Sequence, residues 1–299
     1  MFKSAYLAKE DLLDRLLEEL GDPQAEVLGQ LVLSKLPFKE IYFKQNGWKH
    51  LEKISITSIQ DGVRKLKALG KYWAFYPTKL NRRGLFIQQE LAKVPSTPLI
   101  FPATIPARSI GAWTLLDQNT MLVAKETSSC FPHGIIAFQE TKVPPSRAYL
   151  KLYEALMYAG KIPKKGDKCL EIGAAPGSWS YVLASLDTKL KSCDKSSLDQ
   201  SLDRFANLQF VKGDAFKLRP EVIGPIDWLF SDLICYPDKL FEYICLWLES
   251  GMCKNFICTL KFQEGVSIAS IEKFAQIKGS KVLHLFYNKH ELTWIKVGD

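Results

Sequence analysis

The 299-residue chain is 47% hydrophobic, 12% aromatic and 24% charged, the composition of a globular protein with a sizeable buried core. It has no 18-residue apolar run for a membrane span, and no aromatic-poor charged tract that would have to stay disordered. Its net charge is +8, from 40 basic and 32 acidic residues, a mild bias toward polyanionic partners.

Met1-Phe2-Lys3 and the acidic amphipathic stretch after it lack the apolar core and small-residue cleavage site of a secretory signal, so a cytoplasmic location is expected. Residues 5–7 read as a short strand, and Leu12, Leu13, Leu16, Leu17 and Leu20 make a helical stripe over 9–20. Residues 25–34 alternate and are β-rich, and 41–43 form a short apolar stretch. A second helix is predicted over 58–69, with Ser58 as N-cap and Gly70 as stop, and a strand over 71–76. The order β-α-β-β-α-β over residues 1–78 predicts a ferredoxin-like module. From Lys53 to Lys93, nine basic residues stand against two acidic ones, with Tyr72, Trp73, Phe75 and Tyr76 among them. Basic groups interleaved with aromatics suit a phosphate backbone and stackable bases, which makes Lys65, Arg82 and Arg83 candidate RNA contacts.

Residues 79–143 are predicted to hold a helix over 85–92, a proline-rich connector over 95–106, and a β-hairpin from 110–116 and 121–125. Pro144-Pro145 punctuates the chain, and Ser146 is the expected cap of a helix running to about residue 159. Strands then alternate with helices. Strands are predicted at 168–172, 190–193, 208–212, 228–231, 255–260, 281–285 and 292–297, and helices at 178–186, 239–248 and 267–277. This alternation means a mostly parallel sheet covered on both faces, which binds ligands beyond its carboxyl edge where strand order reverses.

Seven cysteines, at 130, 169, 193, 235, 245, 253 and 258, form no C-x-x-C pair, and the four histidines form no cluster with them. Neither a disulfide framework nor a zinc site is expected, and no metal is assigned.

The strand over 168–172 ends in Gly173-Ala174-Ala175-Pro176-Gly177-Ser178-Trp179. Small residues let the backbone turn sharply and approach a ligand, and Gly177 opens a helix with free N–H groups. Ala175 stands where a dinucleotide fingerprint needs its second glycine, and no Gly-Lys-Ser/Thr follows, so a pyrophosphate ligand is disfavoured and a nucleoside-type ligand remains. Asp194 closes the next strand, about twenty residues beyond the turn, where a carboxylate accepts both ribose hydroxyls. Asp214, after the third, could accept from an adenine amine. Acids at these places also suit a positive ligand such as the sulfonium of S-adenosylmethionine (SAM).

Ala174-Ala175-Pro176-Gly177-Ser178-Trp179, preceded by Pro145-Ser146-Arg147-Ala148-Tyr149-Leu150-Lys151-Leu152, resembles the FtsJ/RrmJ-type ribose 2'-O-methyltransferases. Among these it is most similar to the RlmM type, which methylates a cytidine ribose of large-subunit ribosomal RNA. Further matching segments are Lys212-Gly213-Asp214-Ala215-Phe216-Lys217-Leu218-Arg219-Pro220, Asp227-Trp228, Ser231-Asp232, Trp247-Leu248, Leu260-Lys261 and His290-Glu291-Leu292-Thr293. They cover 144–297 in order; Ser178 departs from the family's usual glycine. The resemblance implies an α/β fold: a Rossmann-like, mostly parallel sheet whose last strand is antiparallel, over residues 144–299, behind a smaller α+β RNA-binding region. That region divides into the ferredoxin-like module of 1–78 and an abbreviated THUMP-like hairpin region over 79–143.

The resemblance also implies SAM as cofactor, held by Gly173, Ala174, Ala175, Pro176, Gly177, Ser178, Trp179, Asp194, Asp214, Ala215 and Asp232. It implies a catalytic tetrad of Lys151, Asp232, Lys261 and Glu291, and an rRNA substrate, large-subunit and unassembled or partly assembled, with no membrane partner. A free lysine, with a pKa of about 10.4, is no base at neutral pH, so burial and a neighbouring Lys151 are expected to lower that of Lys261 until it accepts the 2'-hydroxyl proton. Arg147, Lys217 and Arg219 are further candidate RNA contacts, and Trp228, Trp247 and Trp294 read as core. The alternatives are another RNA (a tRNA or an mRNA cap), a non-catalytic RNA-binding relative, and a nicotinamide oxidoreductase, which the missing glycine disfavours.

Overall fold

The computed structural model describes residues 2–262 and 267–298. Contacts divide the chain into two units, Met1–Leu99 with Ile105–Ala137, and Ile100–Thr104 with Phe138–Asp299.

In the first unit, strands β1 (Ser4–Leu7), β2 (Glu26–Leu28), β3 (Leu31–Ser34) and β4 (Asn46–Lys49) accompany helix α1 (Leu13–Leu20). Leu12, Leu16 and Leu20 of the predicted stripe are buried. The apolar stretch at 41–43 does not become a strand. The Tyr42 and Phe43 N–H groups donate to the Glu19 carboxylate of α1, at 2.7 and 3.1 Å, and strand pairing moves on to β4.

Next come β5 (Glu52–Ser55), α2 (Ile59–Leu69), β6 (Trp73–Phe75), α3 (Asn81–Gln89), β7 (Gly111–Asp117), β8 (Thr120–Ala124) and β9 (Glu126–Thr127). Ser58 caps α2 by accepting from the Asp61 N–H. The sheets run β2-β3-β1-β4-β9 and β5-β8-β7-β6. The expected cut at residue 78 therefore does not separate sheets: β5, α2 and β6 from before it join β7 and β8 from after it. Period-two packing explains this. Trp73, Phe75, Trp113, Leu115, Met121 and Val123 meet Val63, Leu66 and Ile87 of the two helices on one face. On the other face, Ala112, Leu122 and Ala124 meet Ala5, Leu33 and Trp48 of the first sheet.

The second unit contains α4 (Tyr149–Ala159), β10 (Lys168–Ile172), α5 (Ser178–Ser185), β11 (Lys189–Asp194), β12 (Leu208–Lys212), α6 (Pro220–Ile223), β13 (Trp228–Ser231), α7 (Pro237–Ser250), β14 (Asn255–Lys261), α8 (Ile268–Ala275), β15 (Ser280–Leu283) and β16 (Glu291–Lys296). Their sheet runs β12-β11-β10-β13-β14-β16-β15, a Rossmann-like α/β arrangement in which the last strand, β16, is antiparallel to both neighbours. By the right-handed crossover rule α5 and α7 belong on opposite faces of this sheet, and α8 packs on α7 and α4 on α5. Trp228, Trp247 and Trp294 are buried in this core. Helix α4 starts two residues later than expected, with Ala148 at its N-cap, and the Ser146 hydroxyl meets that of Ser178 at 2.7 Å and accepts from the Ala148 N–H at 3.3 Å. Among the described residues, no helix is long and apolar enough to cross a membrane.

Candidate active site

Strand order reverses between β10 and β13, and their two loops meet there. Gly173 leaves β10 at φ +74°, and a Cβ on it would lie 2.5 Å from the Leu233 backbone, so only glycine lets the loops touch. Gly177 has φ +110°, and a Cβ there would lie 2.2 Å from Leu202. Between the loops opens a cleft of about 310 Å³.

Of the expected cofactor residues, Gly173, Ala175, Asp194, Asp214, Ala215 and Asp232 line this cleft. Asp194 accepts from the N–H groups of Ala175, at 3.0 Å, and Ser196, at 2.8 Å, which fixes its carboxylate and leaves each oxygen a further lone pair. Asp214 accepts from the Phe216 N–H at 3.1 Å. Ala174, Pro176, Gly177, Ser178 and Trp179 are not among the lining residues. Ser178 and Trp179 are buried, and the Trp179 Nε1–H donates to the Ala148 carbonyl, so these side chains hold α5 against the start of α4. The cleft also takes in Lys195, Phe216, Leu233, Ile234, Cys235 and Lys239, which the sequence reading missed. The rule that ligands sit at strand carboxyl ends points to the loop after β13, and so could have found three of them, Leu233, Ile234 and Cys235.

Asp232, which lines the cleft, belongs to a cluster of four charged side chains. β16 runs antiparallel, so its first residue lies at the carboxyl edge of β14, and Glu291 pairs directly with Lys261 in the register. Asp232 follows Ser231, whose register partner is Cys258, and Thr259 donates to Asp232 Oδ1 at 2.8 Å. Lys151, on the first turn of α4, reaches Asp232 at 3.0 Å and Glu291 at 2.5 Å. Lys261 reaches Asp232 at 2.7 Å and also pairs with Glu291. Each cation thus touches both anions. The Lys151 and Glu291 side chains are only 7% and 6% exposed, against 19% and 20% for Lys261 and Asp232.

Burial works to raise the pKa of Asp232, but Lys151 and Lys261 outweigh it and hold the carboxyl below its usual range. For Lys261 the expected lowering does not occur. Burial pulls its pKa down, yet Asp232 and Glu291 pull harder the other way and leave it raised. One strand away, Glu171 on β10 is fully buried and accepts from Ser180 at 2.5 Å and Ser192 at 2.6 Å. Burial pushes its pKa up to about 7 against those two hydroxyls, and the Asp232 charge adds to the rise.

Residues 144–277 match the family described as FtsJ-like methyltransferase. That segment is an FtsJ-like methyltransferase domain. It includes Lys151, Asp232 and Lys261, while Glu291 lies beyond it. Curated relatives named ribosomal RNA large subunit methyltransferase M match at low identity. The protein of Idiomarina loihiensis is 26% identical over 72% of this chain and 60% of its own length. That of Tolumonas auensis is 24% identical over 93% of this chain and 84% of its own. The chain thus spans less than two thirds of the Idiomarina relative. Among solved structures, Aeropyrum pernix fibrillarin with bound SAM matches at a TM-score of 0.37 and 16% identity, over 65% of this chain and 85% of its own.

The methyltransferase domain holds three of the six expected RNA contacts. Lys217 and Arg219 are exposed just beyond Asp214, and neither forms an ion pair among the described residues. Arg147 is tied to Glu140 by two hydrogen bonds, at 2.9 and 2.6 Å. In the first unit, Lys65 pairs with Asp61 at 2.9 Å and donates to the Ser55 carbonyl. Arg82 lies over the Phe86 ring, and Arg83 has a buried Nε with no hydrogen-bond partner.

Proposed function

We propose that the chain transfers a methyl group from SAM to a ribose 2'-hydroxyl of RNA, and that the RNA is large-subunit ribosomal RNA. The observation that carries this reading is the crossed set of Lys151, Asp232, Lys261 and Glu291, joined to the cleft through Asp232. The names of the curated relatives support the rRNA class.

The cleft's chemistry fits SAM. Three carboxylates, Asp194, Asp214 and Asp232, line it, and among the described residues no His, Cys, Asp and Glu group could hold a metal ion. Asp194 has lone pairs free for a ribose diol, and Phe216 offers an apolar ring beside Asp214. When bound, SAM supplies a methyl group made electrophilic by its sulfonium.

Everything else falls to the chain. Asp232, kept ionised by two lysines, fixes both ammonium groups in place. Lys261 is the more accessible of the two and is assigned the proton of the hydroxyl, while the methyl–sulfur bond would break as the O–C bond forms and leave a neutral thioether. Its raised pKa means that it starts protonated in the free chain. A further positive charge in the cleft lowers the pKa of the Lys261 amine and brings it toward base function. Holding hydroxyl and methyl in line contributes up to about 7–11 kcal/mol of the barrier.

The test is incubation with radiolabelled SAM and total RNA from cells lacking the corresponding enzyme, comparing the wild type with Lys261→Met. Label in large-subunit rRNA that disappears with the variant is the expected result. Label confined to another RNA moves the substrate, and absence of SAM binding ends the reading.

A further inference from the structure

The segment linking β13 to α7 carries two large apolar side chains that the protein leaves in water. Ile234 is 77% exposed and Tyr236 is 56% exposed. They flank Cys235, and Leu233, Ile234 and Cys235 all contribute to the lining of the cleft. No ring contact or hydrogen bond of the Tyr236 side chain is found among the described residues. Exposed apolar groups beside a catalytic cluster, rather than scattered singly, mark a binding surface.

The segment is held rigidly at both ends. Upstream, Asp232 is gripped by two lysines and Thr259. Downstream, Pro237 restricts the Tyr236 backbone, which sits at φ −65°, ψ 138°, and Asp238 accepts from Ser270 at 2.7 Å and Lys273 at 2.6 Å on α8. A side chain on so fixed a backbone is presented, not merely loose. Tyr236 is four steps along the chain from Asp232, a reach of at most about 14 Å.

We propose that Tyr236, with Ile234 beside it, is the platform on which the base of the target nucleotide stacks. This rests on the 2'-hydroxyl reading above and names the residues that would position that substrate. The 2'-oxygen and the glycosidic nitrogen are bonded to adjacent ribose carbons, so a hydroxyl delivered to Lys261 brings its base to this end of the cleft. A base splayed out of its strand loses its stacking neighbours and needs a flat apolar partner in their place. Tyr236 offers that face without reading base identity, as stacking does generally. It is a positioning residue: it touches the base and leaves the proton to Lys261.

The experiment pairs kinetics with photocrosslinking. Tyr236→Ala is expected to raise the KM for RNA roughly 5- to 150-fold, with SAM affinity unchanged and with Tyr236→Phe restoring most of the loss. A KM within about twofold of wild type, or SAM affinity falling in parallel, overturns the platform. Large-subunit rRNA transcripts carrying 5-iodopyrimidines, irradiated with the intact protein, are expected to crosslink to the peptide containing Tyr236. A protein that methylates these transcripts yet crosslinks only elsewhere also overturns it. A Tyr236 crosslink to RNA that is never methylated supports the platform while sinking the transferase reading, so the two failures are distinguishable.

Discussion

Asp232 and Glu171 lie on neighbouring strands of one sheet, and the protein handles their carboxyl groups in opposite ways. Asp232 is met by two lysines and a threonine, which hold it ionised below the usual carboxylate range. Glu171, paired with Phe230 and Ser192 in the strand register, is met by two serine hydroxyls and, among the described residues, by no ion-paired cation, and burial lifts it to about 7. A buried carboxyl keeps its charge where the structure supplies compensating cations, and keeps its proton where it supplies only dipoles. The arrangement is also mutually consistent: below about pH 7 a protonated Glu171 removes a like charge from beside Asp232.

The largest effect expected is on the charged side of this pair. Lys261→Met keeps most of the side-chain stem and removes the amine, and kcat should fall by about 10²–10⁴ with SAM affinity retained. Lys151→Met should cost more stability than Lys261→Met, because Lys151 is 7% exposed against 19% and its loss strands both carboxylates in a drier place. Comparing urea midpoints for the two variants checks this. Because the pKa of Lys261 is raised on folding, its stabilisation is present below the unfolded value, about 10.4, and is lost as pH rises through the folded one. If Lys261 takes the proton, wild-type kcat should climb through pH 7–9. A flat profile there would remove it as the base.

On the other side, Glu171→Gln should abolish a pH dependence of stability. The folded pKa of about 7 lies above the ordinary 4.5, so the folded state holds the proton more tightly than the unfolded one. The stabilisation is complete below about 4.5 and declines as pH rises through 7, a change on the order of 3 kcal/mol. Wild-type and variant unfolding energies, measured in urea from pH 4 to 8, should therefore converge or cross along that interval. A constant offset at every pH would mean that Glu171 titrates as an ordinary carboxyl.

Much of the methyltransferase domain was legible because parallel strands buried on both faces read as apolar runs between turn signals. The strands at Lys168–Ile172, Leu208–Lys212 and Trp228–Ser231 have the bounds read from the sequence. Asp194, Asp214, Asp232 and Lys261 were placed at the carboxyl edge by the same logic. That Lys151 and Glu291 touch was not readable from spacing, since it depends on how α4 lies against an antiparallel last strand. The direction of the Lys261 shift was misjudged because the sequence reading set burial and Lys151 against it, without the two carboxylates that bracket it. In the first unit, short strands with interchangeable partners defeated the reading: which sheet β5 and β6 join depends on distant Trp113 and Met121.

The smallest effects come from single hydroxyls, and they test whether cations or dipoles set each carboxyl's state. Ser192→Ala removes one of the two donors that lower the Glu171 pKa, so that pKa should rise further and the declining part of the stability curve should extend to higher pH. Thr259→Val removes the comparable donor from Asp232 with little change of shape, but Lys151 and Lys261 remain. The expected cost is about 0.5–1.5 kcal/mol of stability, with kcat changed less than about tenfold. Asp232 should stay ionised to the same low pH, which a carboxyl NMR titration of both variants would read directly. An Asp232 that moves as far as Glu171 would mean that hydroxyl dipoles, not the lysine pair, hold its charge, and the contrast between the two carboxyls would collapse.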